Sequence, residues 1–370
     1  MKIDPFLLER NQSLYENSVQ YNLTESGVHP YSLSQTLSED ELREMAALPL
    51  GYGYTNGAPS LRRAVAGLYR GRTESNILIT NGSAEANFAV IWSLIEPGDE
   101  VAVMLPNYML VSGLLDAFGA IAKPFQLREE LKWAPDLNDL RSTISPKTKM
   151  IVVCNPNNPT GAVLDRATME ALAGLAREHG CYILSDEIYR GSELDGIECP
   201  SFLDVYEKAI VCSGLSKALA HPGLRIGWIA GPAEVIASCW HRHDYTTITT
   251  SIVSQYVAEK ILQPERRKQI LAYGRELLNR NLGIFSHWIG ERKNSFHFIP
   301  PKAGGMAFVR YSNSMNSSAL VTKLREEKSV LVVAGDWFGM DHYLRFGIGT
   351  DSRILEAGLA LITQTFKEMA

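Results

Sequence analysis

Short apolar runs punctuate the first two thirds of the chain, each followed by a polar or glycine-bearing turn. Asn76–Thr80 reads NILIT, Glu100–Met104 EVAVM and Lys149–Cys154 KMIVVC; Tyr182–Ser185, Ala209–Ser213 and Ile226–Ala230 follow the same habit. Near-continuous apolarity over four to six residues predicts strands covered on both faces. Between them, helical spacing predicts helices over Ala84–Ile95, Leu110–Phe118 and Ala167–His179. Strands alternating with helices predict an α/β fold, a mostly parallel central sheet sandwiched by helices.

The ends of the chain differ. Residues 1–48 are polar, with helical pieces such as Ser38–Ala47, and lead into the glycine- and tyrosine-rich loop Leu50–Gly57. Ser60 is expected to cap a helix over Leu61–Tyr69. After the charged run Pro264–Lys268, a long helix is predicted over Gln269–Trp288. Strand signals follow at Ala307–Tyr311, Val330–Val333 and Tyr343–Gly347, and a closing helix at Arg353–Met369. Three units are therefore expected: an N-terminal segment (1–48) packing on the small domain and the cleft, a large domain (49–264) and a smaller α/β domain (265–370).

Composition narrows the function. The chain has 370 residues, 45% of them hydrophobic, enough for two cores. A formal net charge of -5 argues against nucleic acid as a partner. No apolar stretch suits a membrane span and the N-terminus does not read as a secretory signal. Five scattered cysteines, none in a CxxC pair, suggest buried thiols in a reducing compartment and no metal site. A cytoplasmic enzyme is the expectation.

In an open parallel sheet, chemistry collects at the carboxyl ends of the strands. Asn76–Thr80 is followed by Gly82-Ser83-Ala84 entering a helix, a turn suited to a phosphate. Glu100–Met104 leads to Tyr108, an aromatic able to lie on a ring. Lys149–Cys154 leads to the rigid turn Asn155–Gly161 (NPNNPTG), which contains Asn158. Tyr182–Ser185 leads to Asp186 and Tyr189; a carboxylate at the end of a buried strand calls for a cation. Ala209–Ser213 leads to Ser216-Lys217, with Arg225 eight residues on. A lysine there suits an amine nucleophile, and the arginine a phosphate. Jointly these supply what pyridoxal 5′-phosphate (PLP) requires: an amine, a carboxylate for the ring nitrogen, donors for the phenolate oxygen and a phosphate cup.

The motifs NPNNPTG, DEIY (Asp186–Tyr189), Ser216-Lys217 and PGLRIGW (Pro222–Trp228) resemble those of the class I/II aminotransferases, PLP enzymes of fold type I. The resemblance implies that Lys217 forms the internal aldimine and shuttles the proton at the substrate α-carbon. It further implies that Asp186 pairs with the ring nitrogen, Asn158 and Tyr189 bond the phenolate oxygen, and Tyr108 stacks on the ring. Gly82, Ser83, Ala84 and Arg225 would hold the phosphate. Tyr52 would reach the phosphate of a neighbouring subunit, implying a homodimer with shared sites, and Arg345 would clamp the substrate α-carboxylate. The sequence departs from the family pattern at Gly214, where a hydroxyl is usual; Ser213 or Ser216 is the expected replacement. A second departure puts His221 near the cofactor, where it reads as a loop histidine.

Tyr21–Pro30 (YNLTESGVHP) resembles a segment of capreomycidine synthase and of enzymes that form enduracididine-type cyclic arginine derivatives. That likeness implies dehydration and cyclisation of a hydroxylated L-arginine through an external aldimine. Gly27 and Val28 would then line the cleft, His29 would protonate the departing hydroxyl and Thr24 would orient it. Glu9, Glu16, Glu25 and Asp244 are candidates for a guanidinium partner, with Glu9 and Glu25 preferred. The alternative is ordinary transamination of an L-amino acid with a 2-oxo acid.

Overall fold

The computed structural model describes residues 2–369. Eight strands form the large sheet, in the spatial order Ile77–Thr80, Gly227–Ala230, Ala209–Gly214, Tyr182–Asp186, Thr148–Cys154, Glu100–Leu105, Ile121–Arg128 and Ala134–Pro135. The five strands from Ala209–Gly214 to Ile121–Arg128 run parallel. Gly227–Ala230 is antiparallel to both of its neighbours, and the two-residue edge strand is antiparallel as well. Alternation along the strands explains the unbroken apolarity. Ala102, Ile151 and Val153 pack into a core on one face, and Val101, Val103, Met150 and Val152 into another core on the opposite face.

A second, antiparallel sheet runs in the order Phe296–Phe298, Met306–Tyr311, Tyr343–Gly347 and Val333–Ala334. Its core also takes residues from the helices Ser317–Lys328 and Ser352–Glu368. Tyr21–Asn22 pairs in parallel with Val330–Leu331, so the N-terminal segment is stitched to this C-terminal unit. All five cysteines are buried free thiols. Among the described residues, no helix is long and apolar enough to cross a membrane.

Two expectations are corrected. The charged run Pro264–Lys268 does not precede the long helix but opens it, as Pro264–Gly290. Proline is at home in a first turn, and the charges there do not interrupt the helix, since Arg266 pairs with Glu41 and Arg267 with Glu198. Its Ile270 and Leu271 join the large core while Phe285, Trp288 and Ile289 join the small one, so one rod about 40 Å long spans both units. Ser60 is not a cap. That helix runs Pro59–Ala66 with Ala58 at its N-cap, and the Ser60 hydroxyl donates to Glu259 Oε2 at 2.7 Å.

The strap Leu23–Val28 joins the two units at the cleft. It is bonded to the small sheet through Gly347 N–H to Leu23 O (2.7 Å) and Gly305 N–H to Ser26 O (2.9 Å). The fit demands glycine. A Cβ on Gly349 would lie 1.8 Å from Gly27 O, and one on Gly305 2.1 Å from the same atom. Gly349→Ala should therefore destabilise the protein by about 3 kcal/mol, since the clash is with backbone that cannot yield. Gly283→Ala, on an open face of the long helix, should stabilise by about 1 kcal/mol. Urea unfolding of the two variants checks both signs.

Candidate active site

A cavity of about 300 Å³ opens where the parallel strands end, and the strap and the N-terminal helix Leu7–Tyr15 close its outer side. Its lining includes Ser83, Ala84, Tyr108, Asn158, Asp186, Tyr189, Ser216, Lys217, Arg225 and Arg345, brought together from separate stretches of chain.

Asp186 ends the central strand Tyr182–Asp186. Its Oδ1 accepts the Ile188 N–H and its Oδ2 accepts Asn87 Nδ2, each at 3.1 Å. Burial nevertheless pushes its carboxyl up to about 6, with these donors and the Lys217 charge pulling the other way. A cation is the partner this carboxylate lacks. Opposite it, the Tyr189 hydroxyl meets Ser26 Oγ at 2.7 Å and Asn158 Nδ2 at 3.0 Å. Burial pushes that phenol up to about 12.

Lys217 lies beyond the strand Ala209–Gly214, and its Nζ donates to Glu25 Oε1 at 2.6 Å. Burial alone would lower the lysine; the Glu25 and Tyr189 charges reverse the sign and raise it. Burial would likewise raise Glu25, yet the Lys217 ammonium and the Gly27 N–H hold it down to about 2.

The turn before helix Ser83–Leu94 forms a cradle. Gly82 has φ of 84°, and a Cβ there would lie 2.2 Å from Arg225 Nη2. The first N–H groups of that helix have no intrahelical acceptor, and the guanidinium faces the same turn. Ser216 Oγ stands 3.3 Å from Arg225 Nη1, whereas Ser213 Oγ donates to the Glu187 carbonyl at 3.1 Å, away from the cavity. Ser216 is thus the hydroxyl beside the cradle. Gly214 has a local reason: a Cβ would lie 2.7 Å from Ile226 O on the neighbouring strand.

Arg345 is 2% exposed. Its Nη1 donates to Asn158 Oδ1 (2.9 Å) and its Nη2 to Thr24 O (2.7 Å), while its buried Nε has no hydrogen-bond partner among the described residues. Tyr108 donates its hydroxyl to Glu9 Oε1 at 2.5 Å, so its ring is fixed at the cavity wall.

Several expected residues fall elsewhere. His29 is exposed and outside the cavity lining, because the strap turns away after Gly27. Val28 is buried among Leu277, Leu278 and Ala220. The Thr24 hydroxyl is taken by Asn22 Oδ1 (2.7 Å) and Gln12 Nε2 (3.0 Å), so only its carbonyl serves the site, through Arg345. Gly27 packs on the Lys217 stem. Asp244 is an exposed helix end, away from the cavity. His221 is buried, with Thr36 Oγ1 and the Leu219 carbonyl at its two ring nitrogens. Tyr52 is 86% exposed, on a loop with the exposed Leu50 and Tyr54. Sequence reasoning missed Asn87, Gln12 and Ser26. Asn87 had a signal, one amide a helical turn after Ser83, amid the apolar residues Ala86, Phe88, Ala89 and Val90.

The donor set fits PLP: a buried carboxylate with no ion-pair partner among the described residues, a phenol–amide pair, a backbone cradle with arginine, and an amine within one cavity. The comparisons agree. Residues 29–361 match the family described as Aminotransferase class I and II. Capreomycidine synthase of Streptomyces vinaceus is 30% identical over 93% of this chain and 89% of its own length. An aspartate aminotransferase of Pyrococcus horikoshii is 31% identical over 85% of this chain and 84% of its own. The crystal structure of a PLP-dependent aminotransferase from Streptococcus suis superposes with a TM-score of 0.94 at 35% identity, over 100% of this chain and 99% of that one. The chain therefore belongs to the class I and II aminotransferase family and is a PLP-dependent enzyme of fold type I.

Proposed function

We propose that the enzyme dehydrates and cyclises a hydroxylated L-arginine to a cyclic guanidine amino acid. The observation that carries this reading is the acidic wall of the cavity. Glu9, Gln12 and Glu16 enter from the N-terminal segment beside Glu25. Glu16 has no ion-pair partner among the described residues, and burial together with the Glu25 and Glu9 charges raises its carboxyl. Like charges gathered at one wall invite a cation, and a guanidinium binds carboxylates through paired N–H donors. The resemblance to capreomycidine synthase supports the same substrate class.

In this reading Gly82, Ser83, Ala84, Ser216 and Arg225 hold the cofactor phosphate, Asp186 the ring nitrogen, Asn158 and Tyr189 the phenolate oxygen, and Tyr108 the ring face. Tyr52 completes the cradle of a second subunit, in a cytoplasmic homodimer. PLP, when bound, supplies an electron sink beside the substrate α-carbon. Arg345 takes the α-carboxylate on its free Nε edge. Lys217 removes the α-proton at Nζ and, as the ammonium, returns a proton to the departing hydroxyl. His29 stands too far out for that task. A guanidine nitrogen then bonds to the side-chain carbon that the hydroxyl has left, and the proton it loses passes to Lys217 Nζ, which returns it to the α-carbon. Water is the sole other product, so no oxidant or 2-oxo acid is needed.

Incubation with 4-hydroxy-L-arginine, without any 2-oxo acid, should give a cyclic product one water lighter by mass spectrometry. Turnover that waits for 2-oxoglutarate would sink the reading in favour of transamination, which the aspartate aminotransferase relative represents. Glu16→Gln should raise KM for the cationic substrate about tenfold, the worth of one charge-assisted contact. KM for a neutral amino acid should stay within about twofold, as Glu16 would not touch it.

A further inference from the structure

Glu25 does not stand free at the acidic wall. Its Oε1 accepts both Lys217 Nζ at 2.6 Å and the Gly27 N–H at 2.8 Å. The carboxylate is therefore locked by its own strap. The strap in turn is locked to the small sheet: a Cβ on Gly347 would lie 2.3 Å from Glu25 O. On the other side the strap lies against the lysine itself. A Cβ on Gly27 would stand 3.1 Å from Lys217 Cα and 3.2 Å from its Cδ, and Val28 N–H donates to Lys217 O at 3.4 Å. The small domain thus presents one carboxylate, at fixed distance, to one amine of the large domain.

We propose that Glu25 is a positioning residue for Lys217. It receives the ammonium whenever Lys217 is not joined to the cofactor, and so sets how readily that amine loses its proton. The inference rests on Lys217 being the cofactor-bearing lysine, but not on the identity of the substrate. An amine adds to an aldehyde, with loss of water, only as the free base. A carboxylate at hydrogen-bond distance favours the charged form. Glu25 therefore slows cofactor capture by the empty protein. Once Lys217 is free of the cofactor again, the same contact would retain on Nζ a proton taken from the α-carbon.

The other charged or titratable groups around Nζ differ in kind. Asp186 and Tyr189 come from the sheet end, Arg345 from the small sheet, Arg225 from the loop after Lys217, and Glu9 and Glu16 from the N-terminal segment. Among the described residues, Glu25 is the one acidic group in contact with the amine.

The test needs no substrate. Cofactor-free wild type, Glu25→Gln and Glu25→Asp are pulsed with acetic anhydride across a pH series. Acetylation of Lys217 is quantified by peptide mass spectrometry against exposed Lys367 as the internal reference. Only the unprotonated amine reacts. Glutamine keeps the oxygen that accepts Gly27 N–H, so the strap should stay in place. Its Lys217 midpoint is expected to fall by about one pH unit, roughly tenfold faster labelling at a fixed pH below it. Glu25→Asp, which keeps the charge, is expected to recover part of the shift. An unchanged midpoint in Glu25→Gln overturns the proposal. So does an unchanged midpoint combined with a raised KM for a cationic amino acid, which would make Glu25 a substrate contact instead. Failure of 4-hydroxy-L-arginine to cyclise leaves this measurement untouched.

Discussion

Lys217→Ala protein is expected to lose turnover by about ten-thousandfold or more while still binding PLP noncovalently. In the proposed reading the substitution removes both the amine that carries the cofactor and the base at the α-carbon, and a general base alone is worth about a hundred- to ten-thousandfold. The cofactor's other contacts, from Asp186 to Arg225, are untouched. The variant should therefore lose the visible absorbance of lysine-bound cofactor but retain PLP through gel filtration. Retained turnover would refute the assignment. The variant should also behave differently in acid. In the wild type Glu25 is held at about 2, below the ordinary value of 4.5. A carboxylate lowered on folding contributes stability above its unfolded value and loses it as pH falls through the folded one. That contribution fades between about pH 4.5 and 2. Without the Lys217 ammonium it should vanish, so the two proteins should converge in stability near pH 2, as acid unfolding would show.

Asp186→Asn is the second large effect, expected to lower kcat about a hundred- to thousandfold with the fold intact. In the proposed reading the carboxylate keeps a proton on the ring nitrogen; an amide would not, and the electron sink would weaken. The replacement is also imperfect locally. Asp186 accepts Ile188 N–H on one oxygen and Asn87 Nδ2 on the other, and an amide has a single acceptor. One donor is left unpaired, at about 1–3 kcal/mol. In cofactor-free wild type, burial holds Asp186 up at about 6. An acid raised on folding binds more protons folded than unfolded, so the empty protein loses stability as pH rises from about 4 to 6. Cofactor binding has the opposite sense. It needs the ionised carboxylate, so PLP affinity should fall as pH drops below about 6 in the wild type, and this dependence should disappear in Asp186→Asn. Equilibrium titration of PLP at several pH values measures both.

Strands buried on both faces were the most legible part of the chain. Thr148–Cys154 and Tyr182–Asp186 differ from their expected limits by a residue at one end, because continuous apolarity has no other use at that length. Ile121–Arg128 escaped notice for the converse reason. It lies near the sheet edge, with Ile121, Ala122 and Pro124 exposed, so neither face demands an apolar run. The helix Pro264–Gly290 was shortened because its first turn is charged, and a charged first turn looks like a linker until the packing of Ile270 and Leu271 is seen.

Lys217, Asp186, Asn158, Tyr189 and Arg225 could be named from the sequence because each follows a strand or sits in a motif whose chemistry is stated by residue type, whereas Arg345 was named only through the family resemblance. The sequence by itself determined the α/β class, the strand ends where chemistry collects, and an amine, a carboxylate and an arginine in the order a PLP site uses. Only the tertiary structure decided which polar groups of residues 1–48 belong to that site. The segment carries Glu9, Glu16, Thr24, Glu25 and His29 close together, and nothing in their spacing says which way each points. The direction is imposed by glycines some 300 residues away, Gly305, Gly347 and Gly349, which let the strap lie flat on the small sheet. That seat turns Glu25 onto Lys217, leaves Glu16 facing the cavity without an ion-pair partner among the described residues, and carries His29 out to solvent.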